Sequence, residues 1–151
     1  MAVSMEQVRA VLDPDETDYA AAQKLGPECL PHLRSLVLGG EPMIASKAAY
    51  LAGLFEGETA NEVLERAAES KHENVRIAVA CVLQRSRKEH AANVLPALLR
   101  DVSVSVRMVA METAARATDM TLIRILEQAR DSDESEHVRE RADAALKALV
   151  K

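Results

Sequence analysis

Aromatic residues are nearly missing from this chain: it has no Trp, Phe55 alone, and two Tyr, Tyr19 and Tyr50. A core without them must be assembled from Ala, Leu, Val, Ile and Met, and Ala and Leu head the scale of helix formers. Recognition of nucleic acid by stacking bases on aromatic rings loses its platform. Gly and Pro number five each in 151 residues, little material for the tight turns of a β fold. No apolar run approaches the ~18 residues of a membrane span, and Met1 to Glu6 lack the basic-then-apolar layout of an export signal. The two cysteines, Cys29 and Cys81, are far apart and have no CxxC spacing, so they read as thiols of a reducing compartment. A cytoplasmic chain without membrane attachment is the expectation. Charge is also unbalanced, with 24 acidic against 19 basic residues and a formal net charge of −5, which disfavours nonspecific nucleic-acid binding.

What the chain does have is repetition. Val-Arg pairs recur at Val75-Arg76, Val106-Arg107 and Val138-Arg139, spaced by 31 and 32 residues. Four and eight residues after each Val stand Val79 and Leu83, Ala110 and Ala114, Ala142 and Leu146; stepping back 31 from Val75 gives Ile44, Ala48 and Ala52. Apolar or small residues at 0, +4 and +8 form one stripe of a helix. A second stripe precedes it: Leu33 and Leu36, Leu64 and Ala67, Leu95 and Leu98, Leu126 and Ala129. Each period therefore encodes two amphipathic helices, A and then B. A degenerate first unit fits, with an A helix near Ser4 to Leu12 and a B helix near Glu16 to Leu25 that sets Ala21 and Leu25 in register. Units of approximately 1–26, 27–57, 58–89, 90–118 and 119–151 make one domain over 1–151, since a single pair cannot bury its own faces and stacking completes the core.

Boundary signals agree. Ser4 with Gln7 and Thr59 with Glu62 have capping-box spacing, and Pro42 after Glu41 suits a helix start. Pro31 and Pro96 fall in A helices, both expected in the first turn or two, where a missing N–H costs least.

The Val-Arg pairs with their Ala/Leu stripes resemble HEAT repeats, most closely the short bacterial and archaeal kind also found in phycobilin lyase subunits. The resemblance covers nearly the whole chain and implies an all-α, right-handed α-α superhelix, a HEAT-type solenoid of about five antiparallel helix pairs. It implies A helices on the convex side and B helices on the concave side. HEAT units commonly carry an Asp in the inter-helix turn near the Arg; Asp101 and Asp133 match, five residues before their anchors, while Gly39 and Ser70 stand in the other turns. An Arg–Asp ladder, incomplete at those units, is expected, and it outweighs a phosphate-reading column of Arg76, Arg107 and Arg139.

Catalytic, metal and cofactor chemistry find little footing. HEAT-like deoxyhypusine hydroxylases hold iron with His-Glu pairs on several helices, but His72-Glu73 is one pair in a turn and cannot build a two-metal site. The acidic run Asp131, Asp133, Glu134, Glu136 lacks the Gly and distal Glu of an EF-hand. No Ser/His/Asp or Cys/His set stands at a telling spacing. No catalytic residue, metal ligand or cofactor is expected.

The informative positions are +2, +3 and +6 of the B helices. They read Ser46, Lys47, Tyr50, then Ile77, Ala78, Cys81, then Met108, Val109, Glu112, then Glu140, Arg141, Ala144. The middle two units are apolar where a solvated helix is polar, and contiguous exposed apolar surface marks binding sites. Either these side chains line a groove or the helical phase places them between units. Arg85, with Arg87, Lys88, His90 and Arg116, adds a basic edge. The candidate partner-binding residues are Tyr50, Ile77, Cys81, Arg85, Met108 and Glu112, and the expected function is a non-catalytic protein-binding scaffold or adaptor that grips another protein or peptide on its concave face. The alternative is a subunit of a chromophore lyase or other enzyme complex; a DNA-binding helical-repeat protein ranks below both. Charged end units (Asp13, Asp15, Glu16 and Asp18 at one end, Val138 to Lys151 at the other) suit a monomer.

Overall fold

The structure is a computed structural model and describes residues 2–85, 88–116 and 120–150. Among the described residues there are ten α-helices and no strand: α1 (Met5–Leu12), α2 (Tyr19–Gln23), α3 (Leu30–Gly39), α4 (Pro42–Gly53), α5 (Glu58–Ala68), α6 (Glu73–Val82), α7 (Lys88–Leu99), α8 (Val104–Ala114), α9 (Met120–Ser132) and α10 (Glu136–Val150). The all-α expectation holds. No helix among the described residues is long and apolar enough to cross a membrane. The chain divides into two compact units, Met1–Val82 and Leu83–Lys151.

In the first unit α3 packs on α4 and α5 on α6, and like helices meet: α3 lies against α5 and α4 against α6. The stripes explain this. Leu33 and Leu36 of α3 and Leu64 and Ala67 of α5 are buried, as are Ile44, Ala48 and Ala52 of α4 and Val75 and Val79 of α6. Burying each large aliphatic side chain contributes about 1.5–3 kcal/mol. Ala and Gly set how close α4 and α6 come. A Cβ on Gly53 would stand 2.3 Å from Cγ1 of Val82, so the last turn of α4 can accommodate only hydrogen there.

The N-terminal pair departs from the expected register. The capping box forms as the spacing predicts, with Gln7 N donating to Ser4 Oγ at 3.2 Å and Ser4 N to Gln7 Oε1 at 2.8 Å. But α2 is five residues long, Ala22 is its buried residue, Ala21 is exposed and Leu25 is half-buried. The Asp18 carboxylate accepts from Ala21 N at 3.0 Å and starts the helix later than Glu16. Two further expectations are corrected. Thr59 and Glu62 form no capping box: Gly57, with φ +103°, is the N-cap of α5, and Glu62 instead pairs with Arg34 of α3 at 3.2 Å. Pro96 lies beyond the first two turns of α7, unlike Pro31, which sits at the start of α3.

In the second unit the same plan recurs. α7 packs on α8 and α9 on α10, α7 meets α9, and α8 meets α10. Leu95, Leu98, Leu126 and Ala129 are buried, as are Val106, Ala110, Ala114, Val138 and Ala142. Leu146 is half-buried, the one stripe position in either unit's full-length pairs that is not sealed. Positions 31 or 32 residues apart thus occupy like environments, which is the property the spacing predicted.

Candidate functional site

The outer positions of α4 and α6 and the first two of α8 are neither core nor fully solvated, whereas Glu112 of α8 and Glu140, Arg141 and Ala144 of α10 are exposed. In the first unit Ser46, Lys47 and Tyr50 of α4 and Ile77, Ala78 and Cys81 of α6 are all half-buried on two helices in contact. The unit therefore brings Tyr50, Ile77 and Cys81 to adjoining helices. In the second unit Met108 and Val109 of α8 are half-buried and Glu112 is exposed, while Arg85 is exposed in the 3₁₀ turn Leu83–Arg85. Arg87 lies outside the described residues, as do the side chains of Lys88 and His90.

Several of these side chains already have local tasks. The Tyr50 ring lies 4.7 Å from that of Tyr19, tilted by 48°, an arrangement that favours the edge of one ring on the other. Burial pushes the Tyr19 phenol above its ordinary value, an effect that the Thr17 hydrogen bond lessens. Lys47 Nζ donates to the carbonyls of Leu12 at 2.9 Å and Pro14 at 2.7 Å, placing a cation where α1 ends and its carbonyls run out of partners. Glu112 pairs with Arg141 of α10. Ile77 and Met108 have apolar side chains and offer only contact area. Cys29 and Cys81 are thiols, not a disulfide.

The inter-helix turns follow one pattern. Arg76, Arg107 and Arg139 each donate from Nη1 to the backbone carbonyl six residues earlier, that of Ser70 at 2.8 Å, Asp101 at 2.7 Å and Asp133 at 2.6 Å. In the turns of the second unit, Asp101 Oδ1 accepts from Ser103 N and Asp133 Oδ1 from Ser135 N, both at 2.9 Å. Ser103 and Ser135 then cap α8 and α10 through the amides of Val106 and Val138. Ser70 Oγ does the same work in the first unit, accepting from His72 N at 3.1 Å. One rung of the expected Arg–Asp ladder is seen, between Arg107 and Asp133: Nη2 donates to Oδ1 at 3.1 Å and Nε stands 2.9 Å from Oδ2. The Arg side chains thus bind turn oxygens of their own protein.

An open cleft of about 500 Å³ lies in the second unit, with Leu99, Val102, Ile125 and Ala129 among its lining residues beside Arg107 and Asp133. Val102 is 92% exposed, an aliphatic side chain set out in solvent in the middle of a polar turn. Sequence reasoning passed over this cleft; Val102 between Asp101 and Ser103 was the signal available. Among the described residues no group of three or more His, Cys, Asp and Glu is placed to hold a metal ion. Asp131 pairs with Arg130 at 2.9 Å, and that hydrogen bond holds its carboxyl below the ordinary value.

No protein-family model matches this chain, and no curated protein matches it. The resemblance to HEAT repeats therefore rests on the residues themselves: the Val-Arg anchors, the stripes and the turn residues Asp101 and Asp133.

Proposed function

We propose that this chain is a non-catalytic protein-binding scaffold, a HEAT-type α-solenoid of five antiparallel helix pairs in a right-handed superhelix that forms one domain over 1–151. It acts as a monomer in the cytoplasm and grips a peptide or helix of another protein along the concave face made by its B helices. One observation carries the reading: at equivalent positions of the repeat, Ile77, Ala78 and Cys81 on α6 and Met108 and Val109 on α8 are apolar yet only half-buried. The core of these two helices is made by other, fully buried side chains, Val75, Val79, Ala80 and Val82 on α6 and Val106, Ala110, Met111 and Ala114 on α8. Half-exposed apolar contact area within a charged rim is what the centre of a protein interface is made of. Met108 supplies an adaptable surface that moulds to its partner.

The test is capture from the cells the protein comes from, with a photo-crosslinking residue in place of Ile77 or Met108. An adduct with a defined partner is expected. In the unlabelled protein, Ile77→Asp with Met108→Asp should weaken co-purification of that partner by about tenfold or more while leaving the helical circular-dichroism signal intact. Equal recovery of the partner by the folded double variant overturns the reading.

A further inference from the structure

The turn pattern of the second unit has an open end. Arg107 uses two edges of its guanidinium. Nη1 holds the carbonyl of Asp101 in its own turn, and on the other edge Nη2 donates to the carboxylate of Asp133 in the following turn, with Nε beside the same carboxylate but making no hydrogen bond to it. Arg139 repeats the first half of this arrangement, donating from Nη1 to the carbonyls of Asp133 at 2.6 Å and Glu134 at 3.3 Å. Its other edge meets no carboxylate among the described residues. The guanidinium fork is therefore fixed in place by its own turn, with its carboxylate-holding edge left over.

The helix face around it points the same way. One turn after Arg107, Met111 of α8 is fully buried, and in the first unit Ala45 and Ala49 of α4 occupy the corresponding positions and are fully buried too. The counterpart on α10 is Asp143, half-exposed and joined to Lys147 at 2.9 Å. A layer covers this side of α4 and of α8, namely α6 and α10 respectively. On α10 the same side is polar and carries a pre-set Arg.

We propose that the Arg139 side of α10 is a docking site for a helix pair of a partner protein, whose inter-helix turn presents an Asp carboxylate to Arg139. The occupant follows from charge and shape. Arg–carboxylate pairing is two-pronged and directional, and the structure already shows the partner group that fits: an Asp that opens a helix, two residues before its capping Ser, as Asp133 does for Arg107. A fork held on one side by a backbone carbonyl loses little rotamer freedom on binding. Asp143 and Lys147 then form the rim and disfavour a purely apolar occupant, because covering this ion pair would strip both charges of their water. This site is separate from the B-helix row that carries the proposed function.

The experiment places a photo-crosslinking residue at Lys147, which is 75% exposed, in the full chain expressed in its native cells. The expected result is an adduct of increased mass whose crosslinked segment on the partner includes an Asp in a turn before a helix. Arg139→Gln should reduce the adduct by about tenfold or more, and Arg139→Lys, which keeps the charge but loses the fork, by a similar factor. The pair Ile77→Asp and Met108→Asp should leave it unchanged, which separates this site from the concave row. Should Arg139→Gln loosen the last helix pair, seen as a loss of ellipticity, Arg139→Lys alone decides. Absence of an adduct, an adduct insensitive to Arg139→Lys, or a crosslinked segment without such an acidic turn overturns the proposal.

Discussion

Arg107 and Asp133 face each other through two contacts, Nε to Oδ2 at 2.9 Å and Nη2 to Oδ1 at 3.1 Å, with only 12% of either side chain exposed. The pair joins the start of α8 to the turn before α10, and both partners also hold their own turns. Little water reaches it, so removing one partner strands a charge in a poorly hydrated place. Asp133→Ala should cost about 2–4 kcal/mol. Arg107→Met should cost a similar amount, and the double variant should be less unstable than the sum by about 1–2 kcal/mol. The pair Glu112 with Arg141 is the built-in contrast. Its side chains are 47% and 43% exposed, and its loss should cost under about 1 kcal/mol. Urea unfolding of the two cycles side by side checks both, and an equal coupling at the exposed and sheltered pairs would contradict the ranking.

Gly53 makes a different kind of demand. A methyl group there would stand 2.3 and 2.7 Å from the two Cγ atoms of Val82, and both residues are buried where α4 crosses α6. Gly53→Ala gains helix propensity of about 1 kcal/mol in an open helix, but here the overlap should reverse the sign and destabilise by about 1–3 kcal/mol. Val82→Ala removes the obstructing carbons and leaves a cavity of its own. Combining the two should therefore recover part of the loss of either alone. Thermal unfolding of the four proteins measures it, and simple additivity of the two losses would show that the clash does not exist.

The helices and their inward faces were legible because they are written locally. An apolar residue every third or fourth position needs no knowledge of its neighbour to declare a stripe, and Ile44, Val75, Val106 and Val138 are all buried as the spacing requires. The candidate row was legible for the same reason: once the anchors are phased, Ile77 and Met108 must turn outward from them. What escaped was non-local. Nothing near Tyr50 announces that Tyr19 will lie against it, nor does anything near Lys47 reveal that α1 ends beside it. Gly53 looks like a helix terminator until Val82 is seen beneath it. The Thr59–Glu62 spacing satisfied a local rule and lost to Arg34, a residue from another helix. The first hairpin slipped because Asp18 fixes the start of α2, and five residues hold too few apolar positions for a stripe to override that cap.

Cys29 gives the stability a pH dependence with a definite sign. It is buried beside the start of α3, and burial pushes its thiol up to about 11 from an ordinary value of 9.0. The folded state thus keeps its proton where the unfolded chain gives it up. Its contribution is complete below about pH 9, declines as the unfolded thiol ionises, and is gone once the pH passes the folded value of about 11. Cys29→Ala should flatten the fall in stability between those limits relative to the parent protein, and identical pH slopes would refute the assignment. Alkylation offers a second measurement. At pH 8 half-buried Cys81 should react with iodoacetamide well before Cys29, because the thiolate is the nucleophile and Cys29 is both covered and protonated.

Lys47 ties the N-terminal helices to the rest of the first unit. Its ammonium donates to the carbonyls of Leu12 and Pro14, beyond which the chain turns toward α2, and the Tyr19–Tyr50 ring contact adds a second fastening nearby. Val8, Leu12 and Ala22 bury the apolar side of this segment, so it should stay docked when one polar fastening is cut. Lys47→Met keeps the aliphatic stem and removes the donors. Hydrogen bonds from a charged group are worth about 1.5–3 kcal/mol, so amide exchange in α1 and α2 should quicken by about 10-fold to 100-fold. Exchange in α5 should hardly change, because that helix packs against α3, α4 and α6. Uniform acceleration through α1 to α6 would mean that the N-terminal helices open only together with the whole unit, and that Lys47 stabilises the unit rather than fastening one end of it.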